Sequence, residues 1–233
     1  MRTGRWWRPV ALGVVVVAVL AVGGPYVFFH FVEGKAPAPL GDAQATGPAT
    51  TQAAATGSGG GVDGTWKVGS GSQAGYRVKE VLFGQDNEAV GRTSAVSGQL
   101  RIQGNRVSAA GFSVDLTTVR SDQSRRDEQF QQRIMDTASY PTATFALTAP
   151  IDLPSTSADG ADVRRTASGR LTLHGTTRAV SLDLTASRSG GGIRVSGSIP
   201  VTFADWNIPN PSFGPVTTED HGTIEFLLVL ERA

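Results

Sequence analysis

Cysteine does not occur anywhere in the 233 residues of this chain. Its absence excludes disulfide bonds, thiolate metal centres and a lipid-modified cysteine at the N-terminus. An excess of charge of either sign is also missing from residues 64–233, where 17 Lys and Arg stand against 17 Asp and Glu. Because binding to a phosphate backbone requires a basic surface, we expect no nucleic-acid partner for this part of the chain.

Sequence signatures of catalysis and of metal binding are scarce as well. His174 and His221 are the only histidines after residue 63, and neither has a second donor at ligand spacing. A zinc site needs three or four donors, so no metal site is predicted. The Gly-x-Ser-x-Gly turn of many serine hydrolases does not occur. Spacing singles out no pair of carboxylates either, so the sequence predicts no catalytic residue and no cofactor.

One long apolar run is present, and it lies near the N-terminus. Residues 9–32 are almost continuously apolar and long enough to cross a bilayer as a helix. The arginines within residues 1–8 predict a cytoplasmic N-terminus, a single-pass membrane anchor and an extracytoplasmic remainder. The alternative is a cleaved signal peptide with an apolar core at residues 10–22, which would make the mature protein secreted.

A stretch of linker composition follows the apolar run. Residues 33–63 are rich in Ala, Pro, Gly and Thr, and they show no apolar periodicity. Segments of this composition have little apolar surface to bury and stay flexible. The sequence therefore predicts a flexible linker between the anchor and a domain at residues 64–233.

Apolar and polar residues alternate through most of this predicted domain. In VSLDLTAS, for example, Val180, Leu182 and Leu184 share one face and the polar residues share the other. Such alternation is typical of antiparallel strands with one buried face and one wet face. About eight strands of this kind would bury their apolar faces in a closed barrel, which also removes the sheet edges. A two-sheet sandwich is the alternative.

One segment departs from this alternation. Residues 125–135 are charged and rich in glutamine, with Phe130 and Ile134 four positions apart. This pattern predicts a short surface helix with a narrow apolar edge. Ser121 or Ser124 is predicted to cap its N-terminus. We interpret the helix as a lid over one end of the barrel that takes no part in chemistry.

Two stretches resemble a known family. VDLTTVRSDQSRRDEQFQQRIMDTASYPTATF, followed by GRLTLHGTTRAVSL, resembles the YceI-like family of exported lipid-binding β-barrels. Its members typically carry an Arg-Asp pair, then Tyr-Pro-x-x-x-Phe, then Gly-x-Leu-Thr-x-x-Gly-x-Thr-x-x-Val. The matching residues here are Arg126, Asp127, Tyr140, Pro141, Phe145, Gly169, Leu171, Thr172, Gly175, Thr177 and Val180. The resemblance covers residues 64–233, and within it we interpret the Arg-Asp pair as fixing the helix to the barrel rim.

The resemblance implies an eight-stranded, lipocalin-like antiparallel barrel. It further implies that the interior holds a long polyisoprenoid and that no residue is catalytic. An inward apolar face must line the interior, so strand parity indicates which side chains would touch the lipid. The predicted ligand-binding residues are Phe112, Phe145, Val201, Phe203 and Phe226.

Strand patterns alone leave two kinds of interior open, because narrow barrels are filled by side chains and wider ones hold a ligand. Small residues at strand positions favour a cavity, namely Ala109, Gly111, Ala143 and Gly197. The predicted function is non-enzymatic binding of a polyisoprenoid or an isoprenoid quinone at the extracytoplasmic face of the membrane. The rival hypotheses are an envelope protein-interaction module with a solid core and a lipid-modifying enzyme.

Overall fold

The structure is a computed structural model that describes residues 36–41, 61–82, 84–154, 160–189, 191–214 and 216–233. The predicted cytoplasmic tail and membrane anchor, residues 1–8 and 9–32, lie outside these residues and stay predictions. Within the described part, no helix has both the length and the apolarity needed to cross a membrane. Residues Pro37–Ala233 form one compact unit.

Antiparallel strands make up most of this unit. The strands found in the described residues are β1 (Gly64–Val68), β2 (Gln73–Leu82), β3 (Gln85–Thr93), β4 (Val96–Ile102), β5 (Arg106–Asp115), β6 (Thr142–Leu147), β7 (Ile151–Asp152), β8 (Val163–Leu173), β9 (Thr176–Ser189), β10 (Gly192–Thr202), β11 (Val216–Thr218) and β12 (His221–Arg232). Every pair of neighbouring strands is antiparallel, as the alternation predicts.

The sheet closes into a ring of eight strands. Its order is β1–β4–β5–β6–β8–β9–β10–β12, and the pairing of β12 with β1 completes the circle. β2 and β3 form a hairpin outside this ring, and β2 also pairs with the first half of β12. The predicted eight-stranded antiparallel barrel is thereby confirmed, and the two-sheet sandwich is excluded.

Side-chain parity decides which face of each strand is buried. In β8, Ala167, Leu171 and Leu173 are at most 5% exposed, whereas Ser168 and Arg170 between them are exposed. Residues two apart on a strand lie on the same face of the sheet. The apolar set therefore fills the interior of the barrel and the polar set contacts water.

The predicted helix is present between β5 and β6. An α-helix, α1 (Ser124–Gln129), continues directly into a π-helical turn at Phe130–Ile134. Phe130 is buried and Ile134 packs against the same core, which confirms the narrow apolar edge. The predicted cap is wrong, since Gln123 is the N-cap residue and makes no side-chain capping bond. The hydroxyl of Ser121 instead donates to Asp127 at 2.7 Å.

Part of the predicted flexible linker lies on the outer wall of the barrel. Residues 37–41 contact β2, β3 and β12, and Leu40 is only 2% exposed. The composition of residues 33–63 predicts a flexible linker because Leu40 is the only large apolar residue near residues 37–41. The prediction is wrong for these five residues, because polar groups on the outer wall of the barrel bind them, as described below.

Candidate functional site

The barrel interior contains a cavity of about 450 Å³. Its lining extends from the middle of the barrel to the end where β4 meets β5 and β9 meets β10, which we call the loop end. Inward side chains of several strands form an almost entirely apolar wall, including Leu100, Leu182, Val195 and Leu228. A volume in the range of roughly 300–1,000 Å³ is typical of small-molecule sites. The interior is therefore hollow in this half.

Aromatic rings form part of the wall of this cavity. Each of three inward phenylalanines lies against a glycine of a neighbouring strand. A Cβ atom placed on the glycine would come within 2.3 to 2.9 Å of the ring. The three pairs are Phe112 with Gly98, Phe145 with Gly169, and Phe226 with Gly197. A larger residue in place of glycine would push the ring into the lumen, so the glycines keep the cavity open.

The other end of the barrel, which α1 covers and which we call the helix end, is filled. Phe130 and Met135 enter it from the helical segment, and Trp206 enters from the 3-10 turn Phe203–Trp206. All three are at most 9% exposed. The ring of Phe130 stacks on Tyr76, with ring centroids 5.1 Å apart. Segments outside the sheet thus supply the side chains that pack this half.

An ion pair fixes the helix over the helix end. Arg126 Nη2 lies 3.1 Å from the carboxylate of Glu80 on β2, and Glu80 is 8% exposed. Arg126 also pairs with Asp122. Burial alone lowers the pKa of Arg126, but these two carboxylates raise it above its ordinary value. Asp127 accepts hydrogen bonds from Ser121, so the predicted structural role of the Arg-Asp pair is confirmed.

Polar side chains line the cavity mainly at the loop end. Asn105, Ser187, Arg165 and Arg188 belong to its wall there. Arg165 is half-buried and donates to the main-chain oxygens of Asp152 and of its neighbour in sequence, at 2.8 and 2.7 Å. Both of these acceptors are neutral carbonyl oxygens. The cavity therefore has an apolar body and a polar end whose wall contains two arginines.

The sequence-predicted ligand residues divide between the two halves. Phe112, Phe145 and Phe226 line the cavity. Val201 and Phe203 lie in the packed cluster at the helix end, 4% and 8% exposed, and outside the cavity wall. Phe203 no longer belongs to β10, because it begins the 3-10 turn. All five side chains face the interior. They differ in their position along the barrel axis: the three phenylalanines lie in the loop half, and Val201 and Phe203 lie at the helix end.

Two of the small residues taken to favour a cavity do not face it. Ala109 and Gly111 are exposed, since they alternate with the inward residue Phe112 on β5. Ala143 does line the cavity, and Gly197 receives the ring of Phe226. The structure has the cavity that the small residues favour. The argument is wrong for Ala109 and Gly111, however, because both face outward.

Two site residues are absent from the sequence-based prediction. Arg165 and Arg188 occupy inward positions of β8 and β9, in phase with Ala167 and Leu182. The alternation that predicted the inward phenylalanines also places these two arginines on the inward faces of their strands. A basic residue in phase with an apolar strand face is unusual, because burying an uncompensated charge is costly.

The two histidines in the described part of the chain contact protein groups. His174 Nδ1 lies 3.2 Å from the carbonyl oxygen of Trp206, and its ring packs on Tyr140 at 4.6 Å. His221 contacts the carboxylates of Asp220 and Glu219 on the surface. Within the described ranges, no group of three or more His, Asp or Glu side chains is arranged to hold a metal ion.

Known structures resemble this fold. A polyisoprenoid-binding domain from Saccharophagus degradans, implicated in plant cell wall breakdown, superposes with a TM-score of 0.58 at 18% identity, covering 72% of this chain and 98% of that one. BcnA from Burkholderia cenocepacia superposes with a TM-score of 0.51 at 21% identity, covering 66% and 95%. At these identities the likeness shows the fold alone. No curated protein sequence matches the chain.

The family is shown by the sequence itself. The model of the YceI-like domain matches residues 66–230, which is most of the chain and includes all or most of every strand of the barrel. The motif residues that carry the resemblance lie within this match. The closed eight-stranded ring and its helical lid agree with it, and we conclude that this chain belongs to the YceI-like family.

Proposed function

We propose that this protein binds a long apolar lipid, a polyisoprenoid or an isoprenoid quinone, inside the loop half of the barrel. The apolar cavity of about 450 Å³ is the observation that carries the proposal. Each CH₂ group that moves from water into such a wall contributes about 0.8 kcal/mol. A chain of repeated apolar units therefore needs a dry tunnel more than it needs specific polar contacts. The similar domain from Saccharophagus degradans binds polyisoprenoid, which supports this choice of ligand.

The lipid chain contacts Phe112, Phe145 and Phe226 in this proposal. These rings belong to the cavity wall, and each lies close to a glycine of a neighbouring strand. Val201 and Phe203 support the floor of the cavity from the packed helix end. A polar head group sits at the loop end, where Arg165 and Arg188 supply donors.

Binding without chemistry is the activity that this lining supports. Among the described residues of the cavity wall, neither a carboxylate nor a histidine occurs. General acid–base catalysis relies on such groups within reach of the substrate. We therefore propose a carrier or reservoir of lipid. A solid interaction module fits less well, because the loop half of the barrel is hollow.

Mass spectrometry of an organic extract tests the proposal directly. Full-length protein is purified, extracted and compared with an extract from cells that lack it. We expect an isoprenoid lipid in the protein extract at about one molecule per chain. Protein from which nothing is extracted, and which takes up no added polyprenol, would show that the cavity is not a lipid site.

We propose an extracytoplasmic location, with residues 9–32 as a single-pass membrane anchor. The apolar run and the arginines that precede it support this orientation. A reporter enzyme fused after Ala233 should be active only when it is exported. Activity confined to the cytoplasm would overturn the proposed orientation, and a mature N-terminus beyond residue 24 would replace the anchor by a signal peptide.

A further inference from the structure

Three positions on the outer wall of the barrel are buried although they face away from the interior. Ser196, Glu225 and Leu227 are 4%, 4% and 7% exposed. They alternate with the cavity-lining residues Val195 and Phe226 on β10 and β12. Ser196 pairs with Leu227 across the two strands, so the three form one patch. Because outward side chains of a barrel normally contact water, something must cover this patch.

The segment of residues 37–41, which we call the strap, lies against Glu225 and Ser196 of this patch. Leu40 is 2% exposed, and its main-chain N–H donates to Glu225 Oε2 at 3.3 Å. Gly41 follows beside Ser196, since a Cβ atom on this glycine would lie 3.9 Å from the serine hydroxyl. Leu40 has no place in the two interior core clusters. Its burial is therefore produced entirely on the outer wall.

The polar groups of the strap and of the wall are complementary. Arg77 Nη2 donates to the carbonyl oxygen of Pro37 at 2.7 Å, and Arg92 donates to the carbonyl oxygen of Ala38. Both guanidinium groups also bond to Glu225, with Arg92 Nη2 at 2.8 Å. Arginine only donates and an ionised carboxylate only accepts. The two arginines of the wall thus donate to carbonyl oxygens of the strap, and Glu225 accepts the N–H of Leu40.

Two prolines make the strap suited to this mode of binding. Pro37 and Pro39 have no N–H group, so docking leaves fewer main-chain donors to satisfy. Proline also restricts the free segment to extended conformations, which lowers the entropy lost on docking. The charge of Glu225 is compensated by two arginines, which is the condition under which a carboxylate can be buried.

We propose that Arg77, Arg92, Glu225 and Ser196 form a docking site for the strap in cis, with Leu40 as its anchor residue. The docked strap is held against β2, β3 and β12. This proposal does not depend on the barrel binding any lipid.

Hydrogen–deuterium exchange of the full-length chain tests the docking. Two substitutions break it in different ways: Leu40→Asp places a charge in the buried position, and Glu225→Gln removes the negative charge that pairs with Arg77 and Arg92 beneath the strap. Each has a matched control. Ala38→Asp adds the same charge at an exposed side chain two residues away, and Glu231→Gln neutralises an exposed carboxylate on the same strand.

In the wild-type chain we expect the strap amide of Leu40, which donates to Glu225, to exchange at least about tenfold more slowly than in free peptide. Protection should persist in both controls and disappear in Leu40→Asp and Glu225→Gln. Leu40→Asp leaves every barrel residue intact, so a folding defect cannot explain its result. Free-peptide exchange of the wild-type strap, or equal protection in Leu40→Asp and Ala38→Asp, would overturn the proposal.

Discussion

The two halves of the barrel interior are built from the same strands and the same apolar alternation, yet one is packed and the other is hollow. The helix end receives Phe130, Met135 and Trp206 from segments outside the sheet. The loop end receives no comparable insertion from the described residues, and its aromatic rings lie against glycines. Strand parity thus determines that a side chain points inward. Whether it meets protein or space depends on segments between the strands.

The largest effect should come from removing an aromatic ring at the packed helix end. Phe203→Ala should lower the free energy of unfolding by about 3–5 kcal/mol, because a buried ring leaves a cavity behind. The control is Phe213→Ala, since this ring is 50% exposed and lies near Arg125 and Arg133 on the surface. Its loss should cost about 1 kcal/mol or less. Equal losses in denaturant unfolding would show that the helix end is not packed as described.

Replacing a valine by phenylalanine in each half should give a smaller difference in the free energy of unfolding. Val195 and Val201 lie on the same strand and face the same way, but only Val195 lines the cavity. Val201→Phe should cost about 1–3 kcal/mol through overpacking. Val195→Phe should change the free energy of unfolding by less than about 1 kcal/mol, because the cavity accommodates the ring. Thermal unfolding of delipidated protein measures both, and a reversed order would contradict the hollow loop half.

The comparison of the two halves also shows how much of the fold and of the candidate site could be predicted from the sequence. Period-two alternation predicted the antiparallel barrel and the inward direction of Phe112, Phe145 and Phe226. It could not separate these from Val201 and Phe203, because the turn at Phe203–Trp206 and the helical segment close one end through contacts between distant parts of the chain. Such contacts have no periodic signature.

The strap was missed for a related reason. Composition described residues 33–63 as having nothing to bury, whereas Leu40 is buried on the outer wall. The partners that make this favourable, Arg77, Arg92 and Glu225, are far from it in sequence. Arg165 and Arg188 could have been found, because their phase with the apolar residues of β8 and β9 is visible in the sequence.

A still smaller effect should appear at the polar loop end. Arg165→Gln removes an inward charge from the cavity, and the control Arg164→Gln removes an exposed one from the adjacent outward position. A hydrogen bond from a charged donor contributes roughly 1.5–3 kcal/mol. Arg165→Gln should therefore weaken binding of a head-group-bearing isoprenoid about tenfold in a titration. Equal affinities of the two variants would place the head group elsewhere.

Lipid occupancy of the two valine variants tests the central claim most directly. Wild-type, Val195→Phe and Val201→Phe chains are purified identically, and the bound lipid is quantified by native mass spectrometry. If the loop half is the lipid site, Val195→Phe loses the lipid because its new ring fills the cavity, while folded Val201→Phe retains wild-type occupancy. Retention of the lipid by Val195→Phe at wild-type occupancy, or its loss from Val201→Phe alone, would contradict the account.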